Sequence, residues 1–199
     1  MACGAKARRA CCVICARIAA GIAASEAVGP QFRVPAMKIR PAIEADRDAI
    51  WNIFREVAAA GDTYALDPNI SREDALAYWF APDTRTYVLE ERAIGVAGTY
   101  MLRPNQAGGG SHVANAGFMV WAAARGKGIG RAMAEHCLSE ARRLGFRAMQ
   151  FNYVISTNTA AIHLWEDLGF EIVGTLPSAF HHPDKGYVDV HVMYRSLLE

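Results

Sequence analysis

Apolar and polar positions change period repeatedly along the chain, and each change marks an element boundary. A short extended run at 37–40 is followed by Ile50, Ile53, Phe54 and Val57 at three- and four-residue spacing, which predicts an amphipathic helix over 44–60. Gly61-Asp-Thr-Tyr-Ala-Leu-Asp-Pro68 breaks that period. Ser71, with Asp74 three residues on, offers a capped start for a short helix through Trp79, ended by Pro82. Strands are expected over 85–90 and 93–102 across a tight turn at Glu91-Arg92, and the glycine-rich 104–111 reads as a flexible connection into a strand over 112–120. A helix over 128–144, a strand over 148–154, a helix over 158–168 and strands over 171–175 and 187–194 complete the order β-α-α-β-β-β-α-β-α-β-β, without an internal repeat.

The turn between the strand ending at Val120 and the next helix carries the clearest chemistry. Gly126, Gly128 and Gly130 alternate there with Lys127 and Ile129, flanked by Arg125 and Arg131. Glycines allow positive φ and close approach, so that consecutive N–H groups converge on an anion at the positive end of a helix. A Walker loop would need Ser or Thr directly after Gly126-Lys127, and Gly128 stands there instead. A dinucleotide fingerprint counted from Gly126 and Gly128 would place its third glycine at Arg131, so that reading fails as well. A plain surface turn with a glycine helix entry remains open on these residues alone.

Arg-x-x-Gly-x-Gly at Arg125, Gly128 and Gly130, directly after an apolar strand, resembles the acetyl-CoA pyrophosphate loop of the GNAT superfamily of N-acetyltransferases. Further on, Asn158-Thr-Ala-Ala-Ile-His-Leu-Trp-Glu-Asp-Leu-Gly-Phe170 is similar to the family's second motif helix, and Ala161, Leu164, Trp165 and Leu168 form its apolar stripe. Asn158 can cap that helix or touch the coenzyme, as its counterpart does in the family, and Gly169 can end it. The resemblance runs from residue 37 almost to the end. It implies an α/β fold with a mixed, mostly antiparallel central sheet, splayed at the acetyl-CoA site and flanked by helices. It implies acetyl-CoA as cosubstrate, held by backbone groups of Phe118, Met119 and Val120, by Arg125, Gly126, Lys127, Gly128, Ile129, Gly130 and Arg131, and by Asn158. A backbone N–H near Phe118 or Met119 would polarise the thioester carbonyl.

With 199 residues and a net charge of +1, the composition fits one globular domain and offers no basic bias toward nucleic acid. Residues 1–36 read differently: Lys6, Arg8 and Arg9 precede an alanine-rich apolar run over 10–24, which mimics a signal peptide but is interrupted by Arg17 and too short to span a bilayer. The expectation is an N-terminal extension over 1–36, outside the core, and an N-acetyltransferase domain over 37–199 in the cytoplasm, with no membrane partner. Four of the five cysteines, Cys3, Cys11, Cys12 and Cys15, lie in the extension, so the domain holds no disulfide framework, and Cys137 falls on an apolar helix side. Cys12-x-x-Cys15 lacks a second ligand pair, so no metal is expected.

Many GNAT enzymes carry a carboxylate base on the strand that leads into the loop, but His112-Val-Ala-Asn-Ala-Gly-Phe-Met-Val120 has Asn115 instead. The following strand contributes Asn152, which a period of two separates from the rings of Phe151 and Tyr153. Two amides orient an acceptor but take no proton at neutral pH, and each can equally be an ordinary edge or bulge residue. Gly61-Asp-Thr-Tyr64, Phe151-Asn152, Asn158 and Gly186-Tyr-Val-Asp189 together resemble the fungal proline-analogue N-acetyltransferases, which acetylate azetidine-2-carboxylate and related imino acids. That resemblance implies Asn152 at the reacting centre and Asn115 holding a small amine or imino-acid acceptor. Trp165 stands where relatives place a Tyr acid, and its indole donates a hydrogen bond but no useful proton. A non-catalytic acetyl-CoA sensor module and an acetyltransferase acting on a protein amine are the alternatives. His136 and His163 are expected at the surface or at an interface, His181 and His182 in a loop that is either solvent-exposed or shapes substrate choice with Tyr187 and Asp189, and a homodimer through the last strands fits the superfamily.

Overall fold

A computed structural model describes residues 37–198, so the expectations for residues 1–36 and their cysteines lie outside the described residues. The strands are β1 (Lys38–Pro41), β2 (Arg85–Glu91), β3 (Gly95–Pro104), β4 (Val113–Val120), β5 (Ala148–Ile155), β6 (Glu171–His182) and β7 (Gly186–Ser196). They form one open seven-stranded sheet in the order β1-β2-β3-β4-β5-β7-β6. Every neighbouring pair is antiparallel except β4 and β5. The helices are α1 (Arg47–Ala60), α2 (Arg72–Trp79), α3 (Ile129–Arg143) and α4 (Thr159–Asp167). This is the mixed, mostly antiparallel α/β architecture that the sequence implied.

Strand alternation divides the core between the two faces of the sheet. Val88, Met101 and Met119 pack with Ile50, Phe54, Val57 and Trp79 of α1 and α2, while Tyr87, Leu89, Tyr100 and Leu102 pack with Ile129, Met133 and Cys137 of α3. Local chemistry sets the helix ends as read: the Ser71 hydroxyl accepts from the Asp74 N–H at 3.0 Å, and Gly61 closes α1 in the left-handed conformation at φ 61°. Arg40 joins β1 to its surroundings through Asp46 and Glu90, each at 2.6 Å, and holds the Asp46 carboxyl below its ordinary range. A Cβ on Gly98 would come within 2.9 Å of Met133 Cε, so the bare backbone of β3 lets α3 sit close against it.

Two irregularities depart from the expected strands, one in β5 beside the site and one in the edge strand β6. In β5 the register slips between Phe151 and Val154, so Asn152 and Tyr153 sit in a bulge. A strict period of two, which separates Asn152 from Tyr153, therefore fails there, and both residues are exposed while Phe151 and Val154 are buried. The last hairpin is also longer than expected. β6 continues past Thr175 to His182, with a register shift between Leu176 and Phe180 that takes up Pro177, Ser178 and Ala179. Ser178 has φ 51°, and its N–H donates to Asp189 Oδ1 at 2.9 Å.

The feature that positions the site is a fork. β4 and β5 pair only at Val113↔Ala148 and Ala114↔Met149, and beyond that point the two strands separate. Asn115 stands at the branch and donates its amide to Gln150 O at 2.8 Å, continuing the connection for one more residue by a side chain.

Candidate active site

The loop after β4 has the geometry of an anion nest. Gly126 and Gly128 are left-handed at φ 76° and 77° on either side of Lys127, and nothing lies within 4 Å of where a Cβ would project at either glycine. α3 starts at Ile129 with no side chain capping it, so its first-turn N–H groups remain available to an anion at the positive end of the helix dipole. Ile129 itself is buried, which leaves only its backbone for a ligand. Arg125 and Lys127 are exposed and have no ion-pair partner among the described residues, whereas Arg131 pairs with Asp167 of α4 at 2.6 Å.

Hydrogen-bond parity decides what β4 offers at the fork. Trp121 N–H donates to Ala97 O at 3.0 Å, so the N–H groups of Met119 and Gly117, two and four residues back, also face β3. Those of Ala116, Phe118 and Val120 face the open side. At Phe118 both backbone groups are engaged by one phenol: the N–H donates to Tyr64 Oη at 2.7 Å, and the Tyr64 hydroxyl donates to Phe118 O at 2.9 Å. Burial pushes the Tyr64 phenol well above its ordinary pKa, so it stays a neutral donor and acceptor. Met119 is buried in the core below.

The fork opens into a cleft of about 320 Å³. Asn115, Asn152 and Asn158 all border it, together with Phe118, Tyr153 and Trp165. Asn152 accepts from Gln150 Nε2 at 2.8 Å and donates to Asn105 Oδ1 at 2.7 Å. Asn158 Oδ1 accepts from Ala161 N–H at 3.2 Å, which makes it the cap of α4 as well as a wall of the cleft. Trp165 is buried against Phe118, Phe151 and Phe170 and serves as an aromatic wall. The lining residues include no carboxylate.

A family model described as "Acetyltransferase (GNAT) family" matches residues 47–170, a span that takes in the loop, the fork and α4. The chain belongs to the GNAT acetyltransferase family. It is 34% identical over 149 residues to N-acetyltransferase aca1 of Schizosaccharomyces pombe, a match covering 66% of this chain and 71% of that protein. Among solved structures it is similar to a GCN5-related N-acetyltransferase from Kribbella flavida, with 49% identity, a TM-score of 0.78 and coverage of 81% and 98% of the two chains. It is also similar to yncA of Salmonella typhimurium, described as an acetyltransferase and solved with its cofactor acetyl-CoA, at 27% identity, TM-score 0.72 and coverage of 82% and 95%.

For a GNAT enzyme, the residues present fit acetyl-CoA. The nest of left-handed glycines and the uncapped α3 suit a pyrophosphate, and the unpaired edge of β4 suits an amide-rich arm. Among the described residues no helix is long and apolar enough to cross a membrane. Sequence reasoning did not single out Tyr64 or Arg103 as site residues. Tyr64 entered the sequence reading only within Gly61-Asp-Thr-Tyr64, as a helix break and as part of the resemblance, and its contact with Phe118 joins residues 54 apart in sequence.

The histidines correct two expectations. His136 is not a surface group: it is half-buried, with Nδ1 2.6 Å from the Tyr100 hydroxyl, and burial lowers its pKa. His182 is buried in β6 and accepts from the Asp184 N–H at 3.1 Å, so it belongs to a strand end and not to a loop. None of His181, His182, Tyr187 and Asp189 lines the cleft; Asp189 instead ties down the β6 bulge. Cys137 is fully buried, which raises its thiol pKa and suits a packing residue.

Proposed function

We propose that this GNAT enzyme moves an acetyl group from acetyl-CoA to the amine of a small amino- or imino-acid acceptor of the azetidine-2-carboxylate kind. The observation that carries the reading is the fork: an unpaired stretch of β4 that runs from the anion nest into a small cleft flanked by asparagines. A volume of about 320 Å³ suits a small acceptor beside a thioester better than a protein chain.

In this reading Gly126, Gly128, Ile129 and Gly130 present N–H groups to the pyrophosphate, with Arg125, Lys127 and Arg131 adding charge. Backbone groups of Phe118 and Val120 hold the pantetheine arm, Met119 anchors the strand from below, and Asn158 closes the far wall. Acetyl-CoA supplies an activated acyl group. The Phe118 N–H, released from Tyr64, polarises the thioester carbonyl, and a donor of this type lowers a barrier by about 3 kcal/mol.

Asn152 orients the reacting groups from the β5 bulge, while Asn115 holds the acceptor beside it. Because the lining has no carboxylate, the attacking amine arrives neutral or gives its proton to water. Trp165 can donate a hydrogen bond toward the departing thiolate but not a proton. A cytoplasmic location accords with acetyl-CoA supply. A homodimer through the last hairpin accords with the exposed Ile172, Val173 and Leu176 on the free edge of β6.

Asn152→Ala tests the assignment. Its kcat should fall about 100-fold while acetyl-CoA affinity changes little. An unchanged kcat removes Asn152 from the chemistry.

A further inference from the structure

Among the residues that line the cleft, Arg103 alone carries a full charge. It stands on β3 directly across from Asn115 on β4, so the two side chains share the α1 and α2 face of the sheet. No carboxylate pairs with it among the described residues. Arg40 on β1 is by contrast held by Asp46 and Glu90. The Arg103 guanidinium instead lies 5.3 Å from the centroid of the Tyr78 ring, a shelf that fixes it without neutralising it. Arg103 also borders a smaller hollow shared with Asp83 and Arg85, but neither makes an ion pair with it and Arg85 carries the same sign.

We infer that Arg103 is the anchor for an anionic group of the acceptor, which makes a carboxylate one bond from the amine-bearing carbon the recognised feature. The inference rests on the acetyl-transfer reading above and narrows its substrate class. A guanidinium is a planar fork that matches a carboxylate with two parallel hydrogen bonds, and an α-amino or α-imino acid presents its nitrogen and its carboxylate on the same carbon. With the carboxylate at Arg103, the nitrogen falls beside Asn115, toward the fork. Pairing of the acceptor's own carboxylate with Arg103 offsets the stabilisation that this carboxylate gives the neighbouring ammonium, and so eases loss of the amine's proton to water. Polyamines and other polycations are rejected by the charge of Arg103.

The test compares azetidine-2-carboxylate with its neutral amide as acceptors for the full chain and for Arg103→Gln and Arg103→Lys. The wild-type protein should prefer the acid. In Arg103→Gln the ratio of kcat/KM for acid over amide should fall at least 30-fold, mainly through KM of the acid, and Arg103→Lys should restore part of it. Equal losses on acid and amide, accompanied by a lower Tm, would make Arg103 a packing partner of Tyr78 and overturn the inference. Preference of the wild-type protein for carboxylate-free amines would overturn it too while leaving acetyl transfer in place. If no acceptor releases CoA, the functional reading fails on its own. Calorimetric titration with azetidine-2-carboxylate then still decides for Arg103: binding lost in Arg103→Gln supports the anchor, and equal or absent binding in both proteins refutes it.

Discussion

Tyr64 occupies both backbone groups of Phe118 that acetyl-CoA uses in the proposed reading, so binding must displace its hydroxyl. Tyr64→Phe leaves those buried groups without a partner and should lower the stability of the free protein by about 1–2 kcal/mol. Acetyl-CoA should then stabilise the variant by more than it stabilises the wild-type protein, because it satisfies what the phenol did; equal thermal shifts would contradict the role. His136 yields a prediction in pH. Its folded pKa is lowered by burial, so the unfolded chain takes up the proton first, and the stability tied to neutral His136 is lost as pH falls below the ordinary histidine value of 6.5. Glu140 opposes part of this by favouring the charged ring. Denaturant midpoints at pH 7.5 and 5.5 should show a larger drop for the wild-type protein than for His136→Gln, which keeps an acceptor for Tyr100 but does not titrate. The residue types were plain in the sequence. Their partners were not, because Tyr64–Phe118 and Tyr100–His136 join segments that no local period connects.

Elements bounded by strong local chemistry were legible to within three residues: α1 from its apolar stripe and Gly61, α2 from Ser71, and α3 and α4 from the glycine turn and Asn158. The last hairpin was not, because Pro177, Pro183 and Gly186 punctuate it like a loop. β6 tolerates Pro177 because it is an edge strand and the proline falls in its bulge, where no ladder N–H is required. The β5 bulge was hidden for a related reason: one extra residue changes facing without changing composition, and it brings Asn152 and Tyr153 to the cleft together. The turn into α3 carries its own test. Gly128→Glu places a side chain on a backbone at φ 77°, a strain of roughly 1–2 kcal/mol, and a negative charge at an uncapped helix start. Acetyl-CoA binding by calorimetry should fall at least 100-fold while Tm drops by only a few degrees. Retained binding would refute the loop assignment.

At the scale of the whole molecule, the proposed function rests on one interruption in the sheet. Hydrophobic faces on both sides of β2, β3 and β4 make the framework rigid, and the single parallel pair, β4 with β5, ends after two residues and leaves a slot. Element order and the glycine motif pointed to this slot from the sequence, because GNAT enzymes share both. The charge inside it did not show in a chain of near-neutral net charge, since one arginine among 21 basic residues carries it. The most direct measurement is release of CoA thiol from acetyl-CoA by the full chain, with amino acids, cyclic imino acids, phosphinothricin, polyamines and short peptides as acceptors. Turnover concentrated on azetidine-2-carboxylate and similar small acids is the predicted result. Turnover confined to peptides or polyamines, or acetyl-CoA binding with no thiol released by any acceptor, would contradict it.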